Sequence, residues 1–272
     1  MSTTQTGAGI TDLHSHLMPG VDDGAADAVE ARAALAAFRA AGAAHLVTTP
    51  HVDGSLTLRA DALEQRLDAL DAAWTALVGL AAEHEPALRL DRGAEVMLDV
   101  PTPELDDPRL RIAGGPFVLV EFPHRILPPQ SADTLARLAR RGWIPLVAHP
   151  ERYAGLGDDL EPIGEWRRAG AYLQVNGPAL LGRFGPRVRA NAFTLLARGW
   201  ADCIASDYHA RGEPRLAEYR EALIAELGSE HAELLLSINP ARIARGEPPL
   251  PVPPTRARRR VWASVFSWWK SG

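Results

Sequence analysis

Two histidines two residues apart, His14 and His16, stand in the segment 11–24 (TDLHSHLMPGVDDG), and the carboxylates Asp22 and Asp23 follow them. Side chains two apart on an extended chain face the same way, so both imidazoles point to one side. Pro19 and Gly20 break the strand, and the acids lie in the loop beyond it. Two imidazoles and a carboxylate at the exit of one strand begin a metal site. The pair alone also reads as two hydrogen-bonded histidines in a turn. The later strands decide between the two.

His51 follows Thr49-Pro50, Glu95 lies in the run 88–98, and Glu121 sits near the end of 117–122 (FVLVEF). His149 follows the apolar run 144–148, and Asp207 and His209 follow 201–205. Taken singly, each has a plainer reading: Thr-Pro-His as a strand cap, Glu121 as a half-buried partner of an arginine, Asp207 and His209 as partners of the next helix. Together they put metal-competent side chains at or just past the ends of successive strands. Carboxylates gathered there would repel one another unless cations neutralised them. Mixed nitrogen and oxygen donors suit manganese, iron or zinc, and they are numerous enough for two or three ions. Clustered divalent cations suit the hydrolysis of phosphate esters. Arg152, three residues after His149, offers a planar fork to phosphoryl oxygens. His45, His84, His124 and His231 fall at strand starts, on helices or in loops and read as structural.

The elements that would hold these residues alternate. The patterning predicts strands at 11–16, 45–49, 88–98, 117–122, 144–148, 172–175 and 201–205. Helices are predicted at 25–41, 59–84, 131–141, 159–169, 187–198, 213–227 and 229–237. Repeated strand–helix alternation with short connections predicts a parallel sheet, and this number of units in 272 residues predicts a (β/α) barrel whose strand C-termini form one functional face. A doubly wound sheet is the alternative, but no GxGxxG follows the first strand, so dinucleotide binding has no support.

Composition narrows the field. The net charge is −5, yet 255–272 carries Arg256, Arg258, Arg259, Arg260 and Lys270 and no acid, so the body is more acidic than the total. An acidic body argues against a nucleic-acid footprint. The single cysteine, Cys203, excludes an intrachain disulfide and a thiolate zinc cluster. It lacks an arginine six residues on, which excludes a cysteine-based tyrosine phosphatase. Lys270 is the only lysine, which excludes a P-loop, a Schiff base and the carboxylated lysine of many metal amidohydrolases. With neither a signal-peptide pattern nor a membrane-length apolar run, the expected location is cytoplasmic.

In order and spacing, DLHSHLMPGVDDG, TPH, GAEVML, VEFP, AHPERY and SDYH resemble the bacterial polymerase-and-histidinol-phosphatase (PHP) tyrosine phosphatases of the CpsB/YwqE type, over nearly the whole chain. The resemblance implies a distorted (β/α)7 TIM-like barrel, the PHP fold, with a metal cluster at the C-terminal ends of the strands. It implies three divalent cations, manganese first, with iron or zinc as alternatives. One would be held by His14, His16, Glu95 and Asp207. A second would share Glu95 with Glu121 and His149, and a third would take Asp23, His51 and His209. Arg152 matches the phosphate-binding arginine. A metal-bridging hydroxide would attack phosphorus without a phosphoenzyme, and a metal-bound water or His51 would protonate the leaving oxygen. The implied substrate is phosphotyrosine on a protein, typically the tail of a tyrosine kinase that controls capsule or exopolysaccharide synthesis. Tyr208, where the family has a small residue, is expected to alter the pocket mouth. Asn176-Gly177-Pro178 is a variant loop expected to touch no ligand.

The rivals are a PHP phosphatase for small monoesters such as histidinol phosphate, a nuclease-like PHP domain that the acidic body disfavours, and a non-catalytic scaffold, which would be expected to have lost a ligand. The expected organisation is a disordered leader over 1–10, a phosphatase domain over 11–247, and a Pro-rich spacer with a basic, aromatic tail over 248–272. That tail would lie on an anionic membrane surface, at the inner face, or pack on the barrel or a second subunit. Oligomerisation is left open.

Overall fold

The structure, a computed structural model, describes residues 9–255. The leader up to Ala8 and the basic, aromatic tail from Arg256 lie outside the described residues. The strands are β1 (Ile10–Asp12), β2 (Ala43–Thr48), β3 (His51–Asp53), β4 (Arg89–Arg92), β5 (Glu95–Met97), β6 (Phe117–Glu121), β7 (Ile144–Ala148), β8 (Tyr172–Asn176) and β9 (Cys203–Ala205). Every pairing is parallel, in the orders β1-β2-β4 and β3-β5-β6-β7-β8-β9.

The strand predicted over 88–98 is broken in two, and a short strand not predicted from the sequence follows the one predicted over 45–49; both interruptions shape the barrel. Thr49-Pro50 separates β2 from β3, where proline supplies no ladder N–H. Gly93-Ala94 separates β4 from β5, and a Cβ on Gly93 would press within 3.1 Å of the Arg111 carbonyl oxygen. Counting each broken pair as one stave gives the seven-stave, distorted TIM-like barrel. Closure comes from a parallel bridge between Ser15 and Tyr208, with His16 N donating to Tyr208 O at 2.9 Å and Asp207 N to His14 O at 2.9 Å. The first strand is therefore shorter than predicted: Asp12 ends it, and both histidines lie just beyond. His51 opens β3 instead of trailing a strand, which sets it directly across from Glu95 in the register.

Helices α1 (Ala28–Ala40), α2 (Ala60–His84), α3 (Ser131–Arg140), α4 (Glu161–Arg168), α5 (Gly177–Leu180), α6 (Pro186–Ala197), α7 (Leu216–Leu227), α8 (Ser229–Glu233) and α9 (Asn239–Ala244) complete the fold, with a π-helical turn at Leu234–Ile238. Asp27 caps α1 by accepting from Val29 N and Glu30 N. Strands such as β6 are apolar along their length because helices cover one face and the barrel interior the other. The interior packs Leu13, Val47, Phe117, Leu119, Leu146 and Cys203. The larger shell between strands and helices is built on Phe38, Leu77, Phe122 and Trp166. Burial pushes the Cys203 thiol up, so it stays an inert core group.

Both expected domain edges shift. Ile10 is buried in β1 instead of belonging to a leader. The Pro-rich stretch packs on the barrel instead of standing off as a spacer. Val252 is buried, Asn239 pins Leu250 through both its main-chain groups, and Thr255 N donates to Ala197 O at 2.9 Å. Among the described residues no helix is long and apolar enough to cross a membrane.

Candidate metal centre

The strand breaks and the β1–β9 closure bring every sequence-predicted site residue to one cavity of about 390 Å³ or to the wall beneath it. Burial grades from floor to rim. His14, His16, Glu95 and His149 are buried, Asp207 and Glu121 are mostly covered, and His209, His51 and Asp23 reach the opening.

At the floor, His14 Nε2 lies 3.2 Å from His16 Nε2, 3.1 Å from Glu95 Oε2 and 3.2 Å from Asp207 Oδ1. His16 Nε2 is 3.6 Å from each of those carboxylate oxygens. Ligands around one cation with bonds near 2.1 Å sit roughly 3.0–3.4 Å apart, so the three His14 separations match ligands of one ion and the two His16 ones are slightly longer. Two bare imidazole nitrogens also have little reason to face each other unless a shared cation or proton lies between them. This donor set fits a divalent cation. Ligand atoms mutually within 4.8 Å form three overlapping groups: His14, His16, Glu95 and Asp207; His51, Glu95 and Glu121; His16, Asp23, His51 and His209. The first matches the expected set. The second holds His51 where the resemblance implied His149, whose Nε2 is 3.1 Å from Glu95 Oε1 and 3.7 Å from Glu121 Oε2. The third adds His16.

Each floor histidine is aimed by a bond to its other nitrogen, the usual support of a metal-binding imidazole. Gln174 Oε1 takes His14 Nδ1 at 2.9 Å, and Asp22 Oδ2 takes His16 Nδ1 at 2.8 Å. Gln174 Nε2 donates to Asn176 Oδ1, and Asn176 Nδ2 donates to Asp207 Oδ2, both at 2.8 Å. A closed chain of side chains thus ties two floor groups together. The expectation that the Asn176 loop touches no ligand is overturned by that bond: β8 extends one residue further than predicted and carries Asn176 to Asp207. Asp12 joins the two closing loops by accepting from His14 N and Ser206 N, each at 3.0 Å. Of these supports only Asp22 was legible from strand-end position, because inward residues within a strand look like core; Gln174 and Asn176, two apart on one face, were the available signal for the others.

Tyr208 also departs from expectation. It is buried, meets Phe38 edge-on at 5.1 Å between ring centroids, and donates its hydroxyl to Gly212 O at 2.6 Å. Following a left-handed Asp207 (φ 52°), it turns into the core and is not among the residues that line the cavity. His149 is likewise left-handed (φ 38°). Such strain in non-glycine residues is tolerated where the surroundings hold it, commonly at functional sites.

The electrostatics follow from crowding carboxylates and imidazoles out of water. Burial alone would push His14 toward its neutral form, but Glu95 and Asp207 outweigh it and hold its pKa at about 9. Burial likewise opposes charge on His16, and bonds to Asp207 and Asp22 raise it to about 10. Glu121 rises to about 8 through burial and the neighbouring Glu95 charge. Protons on His14 and His16 stand where cations would otherwise balance the acids.

Around the rim, Arg152 Nη1 donates to Asp207 Oδ2 at 2.8 Å, and its guanidinium lies over the Phe184 ring at 4.1 Å. Arg125, Arg211 and Phe184 also line the opening, none of them singled out by strand-end position. Of the histidines read as structural, His45 pairs with Asp91 at 2.8 Å and His231 bonds Pro253 O at 2.9 Å, both away from this cavity.

The family model described as Capsular polysaccharide synthesis, CpsB/CapC, matches residues 10–245. The chain belongs to the CpsB/CapC family. Its relatives include "Tyrosine-protein phosphatase YwqE" of Bacillus subtilis (strain 168), 26% identical over 266 residues, covering 94% of this chain and 99% of that protein. "Tyrosine-protein phosphatase CpsB" of Streptococcus pneumoniae is 25% identical over 248 residues, covering 85% of this chain and 97% of that one. A chain from the crystal structures of YwqE and CpsB, described there as unique metal-dependent tyrosine phosphatases, superposes with a TM-score of 0.75 at 24% identity, covering 92% of this chain and 100% of that one. The (β/α)7 barrel of this CpsB/CapC chain is thus the fold of those proteins.

Proposed function

We propose that this CpsB/CapC chain is a metal-dependent phosphatase that hydrolyses phosphotyrosine on a protein, as its relatives' names describe for them. The observation that carries the reading is the floor cluster, where two imidazoles and two carboxylates stand at ligand-to-ligand distances under a polar cavity that also holds Arg152. In this reading the metal residues are His14, His16, Asp23, His51, Glu95, Glu121, His149, Asp207 and His209, around three divalent cations with manganese first. Divalent cations held there supply a nucleophilic oxygen at neutral pH and draw charge from a phosphoryl group.

The chain's own residues do the rest. Gln174, Asp22 and Asn176 keep the floor donors aimed inward. Arg152, braced by Asp207 and Phe184, binds and orients a phosphoryl oxygen. His51 stands at the rim, 37% exposed, among the residues that would hold a cation, and burial lowers its pKa, so water held at the same centre would be the better proton source for a departing phenolic oxygen. The partner would be the tail of a tyrosine kinase in capsule or exopolysaccharide synthesis, and the basic, aromatic tail from Arg256 would keep the enzyme at the cytoplasmic membrane face, where such a kinase is anchored.

The test pairs elemental analysis of purified protein with hydrolysis of a phosphotyrosine peptide beside histidinol phosphate. Two to three equivalents of metal and preference for the peptide are expected. Preference for histidinol phosphate would overturn the substrate class, and absence of metal and of turnover after manganese is added back would overturn the enzyme itself.

A further inference from the structure

Every residue lining the cavity is ionisable except Phe184. Its ring is 37% exposed, beside a wall otherwise built of arginines, histidines and acids. It is held there by the loop between α5 and α6. Gly182 (φ 75°) and Gly185 (φ 91°) take left-handed turns on either side, Arg183 N donates to Pro178 O at 3.1 Å, and Gly185 N donates to Gly182 O at 3.0 Å. One side of the ring is taken by the Arg152 guanidinium at 4.1 Å, and the same guanidinium reaches Asp207 at 2.8 Å. The apolar surface is therefore one side chain away from the floor cluster. A group whose phosphoryl oxygens meet Arg152 must extend its ester side past or away from this ring.

We propose that Phe184 is the specificity-determining residue that selects aryl over alkyl phosphate monoesters, by packing its free surface on the ring of the leaving group. The inference rests on the phosphatase reading above and adds a residue and a chemical criterion to it. A flexible alkyl ester gains little from such a wall, whereas two rings meeting offset or edge-on gain contact area and a favourable quadrupole alignment.

The experiment compares Phe184→Leu and Phe184→Trp with the unaltered chain, all manganese-loaded. kcat/KM is measured on a phosphotyrosine peptide and on the same peptide carrying phosphoserine, and calorimetry follows binding of phenylphosphonate beside methylphosphonate. For Phe184→Leu the aryl-to-alkyl ratio should fall roughly tenfold in both assays, mainly through KM, and Phe184→Trp should restore it. A ratio unchanged in Phe184→Leu, with both substrates losing equally, would mean that the ring merely braces Arg152 and would overturn the proposal while leaving the phosphatase reading intact. If the unaltered chain hydrolyses neither peptide and binds neither phosphonate, the phosphatase reading falls and this inference with it.

Discussion

Asp22 is not among the proposed ligands, yet it accepts from His16 Nδ1 at 2.8 Å and from His51 N at 3.3 Å, joining floor to rim. The His16 imidazole beside it holds its carboxyl down at about 2 despite burial, so it remains an acceptor at any pH where the enzyme would work. Asp22→Ala should weaken divalent-cation affinity by roughly 10–100-fold, the usual cost of removing such a support, with the helical circular dichroism unchanged; an unaltered binding isotherm would rule out this role. The floor histidines carry a pH prediction. In the metal-free chain their pKa values of about 9 and 10 stand above the unfolded value of about 6.5, so their stabilisation is complete below pH ~6.5 and is lost as pH rises through 9 and 10. Cations need these imidazoles unprotonated, so loading near pH 7 should release protons, and affinity should climb as pH rises toward 9. Calorimetry in two buffers of different ionisation heat should give different apparent enthalpies; identical values would contradict the proton count.

At the scale of elements, the strand-to-helix turns do the positioning, and Gly24 shows how tightly. A Cβ there would lie 2.1 Å from His16 O, and its N–H donates to Asp22 Oδ1 at 3.0 Å. Gly24→Ala should therefore destabilise by about 1–3 kcal/mol in chemical denaturation and lower metal affinity alongside, since the turn that presents Asp22 must open. A substitution without effect on either would mean that the turn yields at no cost. The same turns explain what could be read in advance. Apolar runs such as FVLVEF and IPLVA announce strands buried on both faces, and polar residues at their ends announce a functional rim. Gly93 announces the interruption in 88–98, but β3 beyond Pro50 was not legible, nor was the change of sheet at both breaks, because Pro50 and Gly93 mark an interruption without stating where the chain resumes. Gln174 was hidden for a related reason: its role depends on which side of β8 faces His14, a fact of barrel closure. Tyr208 was assigned to the mouth from the small residue that the resembling family has there, whereas in the fold its ring packs into the core against Phe38.

For the whole molecule, the decisive feature is that the barrel does not end where its last helix does. The segment after α9 returns beneath the barrel: Asn239 Nδ2 donates to both Asp202 O and Leu250 O at 3.0 Å, and Leu250 N donates back to Asn239 Oδ1 at 2.8 Å. Gly199 is left-handed (φ 65°), and a Cβ there would lie 2.3 Å from Val252 O, so the turn before β9 is shaped to receive this strap. Burying Val252 alone is worth about 1.5–3 kcal/mol, a large share of a domain's net stability. A chain ending at Glu247 should thus unfold at lower denaturant concentration than the full chain, whereas one ending at Thr255 should match it. That difference governs how the tail is tested. Liposome flotation compared between the full chain and the chain ending at Thr255 isolates Arg256, Arg258, Arg259, Arg260 and the tryptophans, because the barrel and its strap are common to both. Binding of the full chain to vesicles containing anionic lipid, weakened by salt and absent from the shorter chain, is the expected result. Equal flotation of the two would remove the membrane from the proposed setting of the enzyme, and a stability loss in the Thr255 chain would show instead that the tail packs on the folded body.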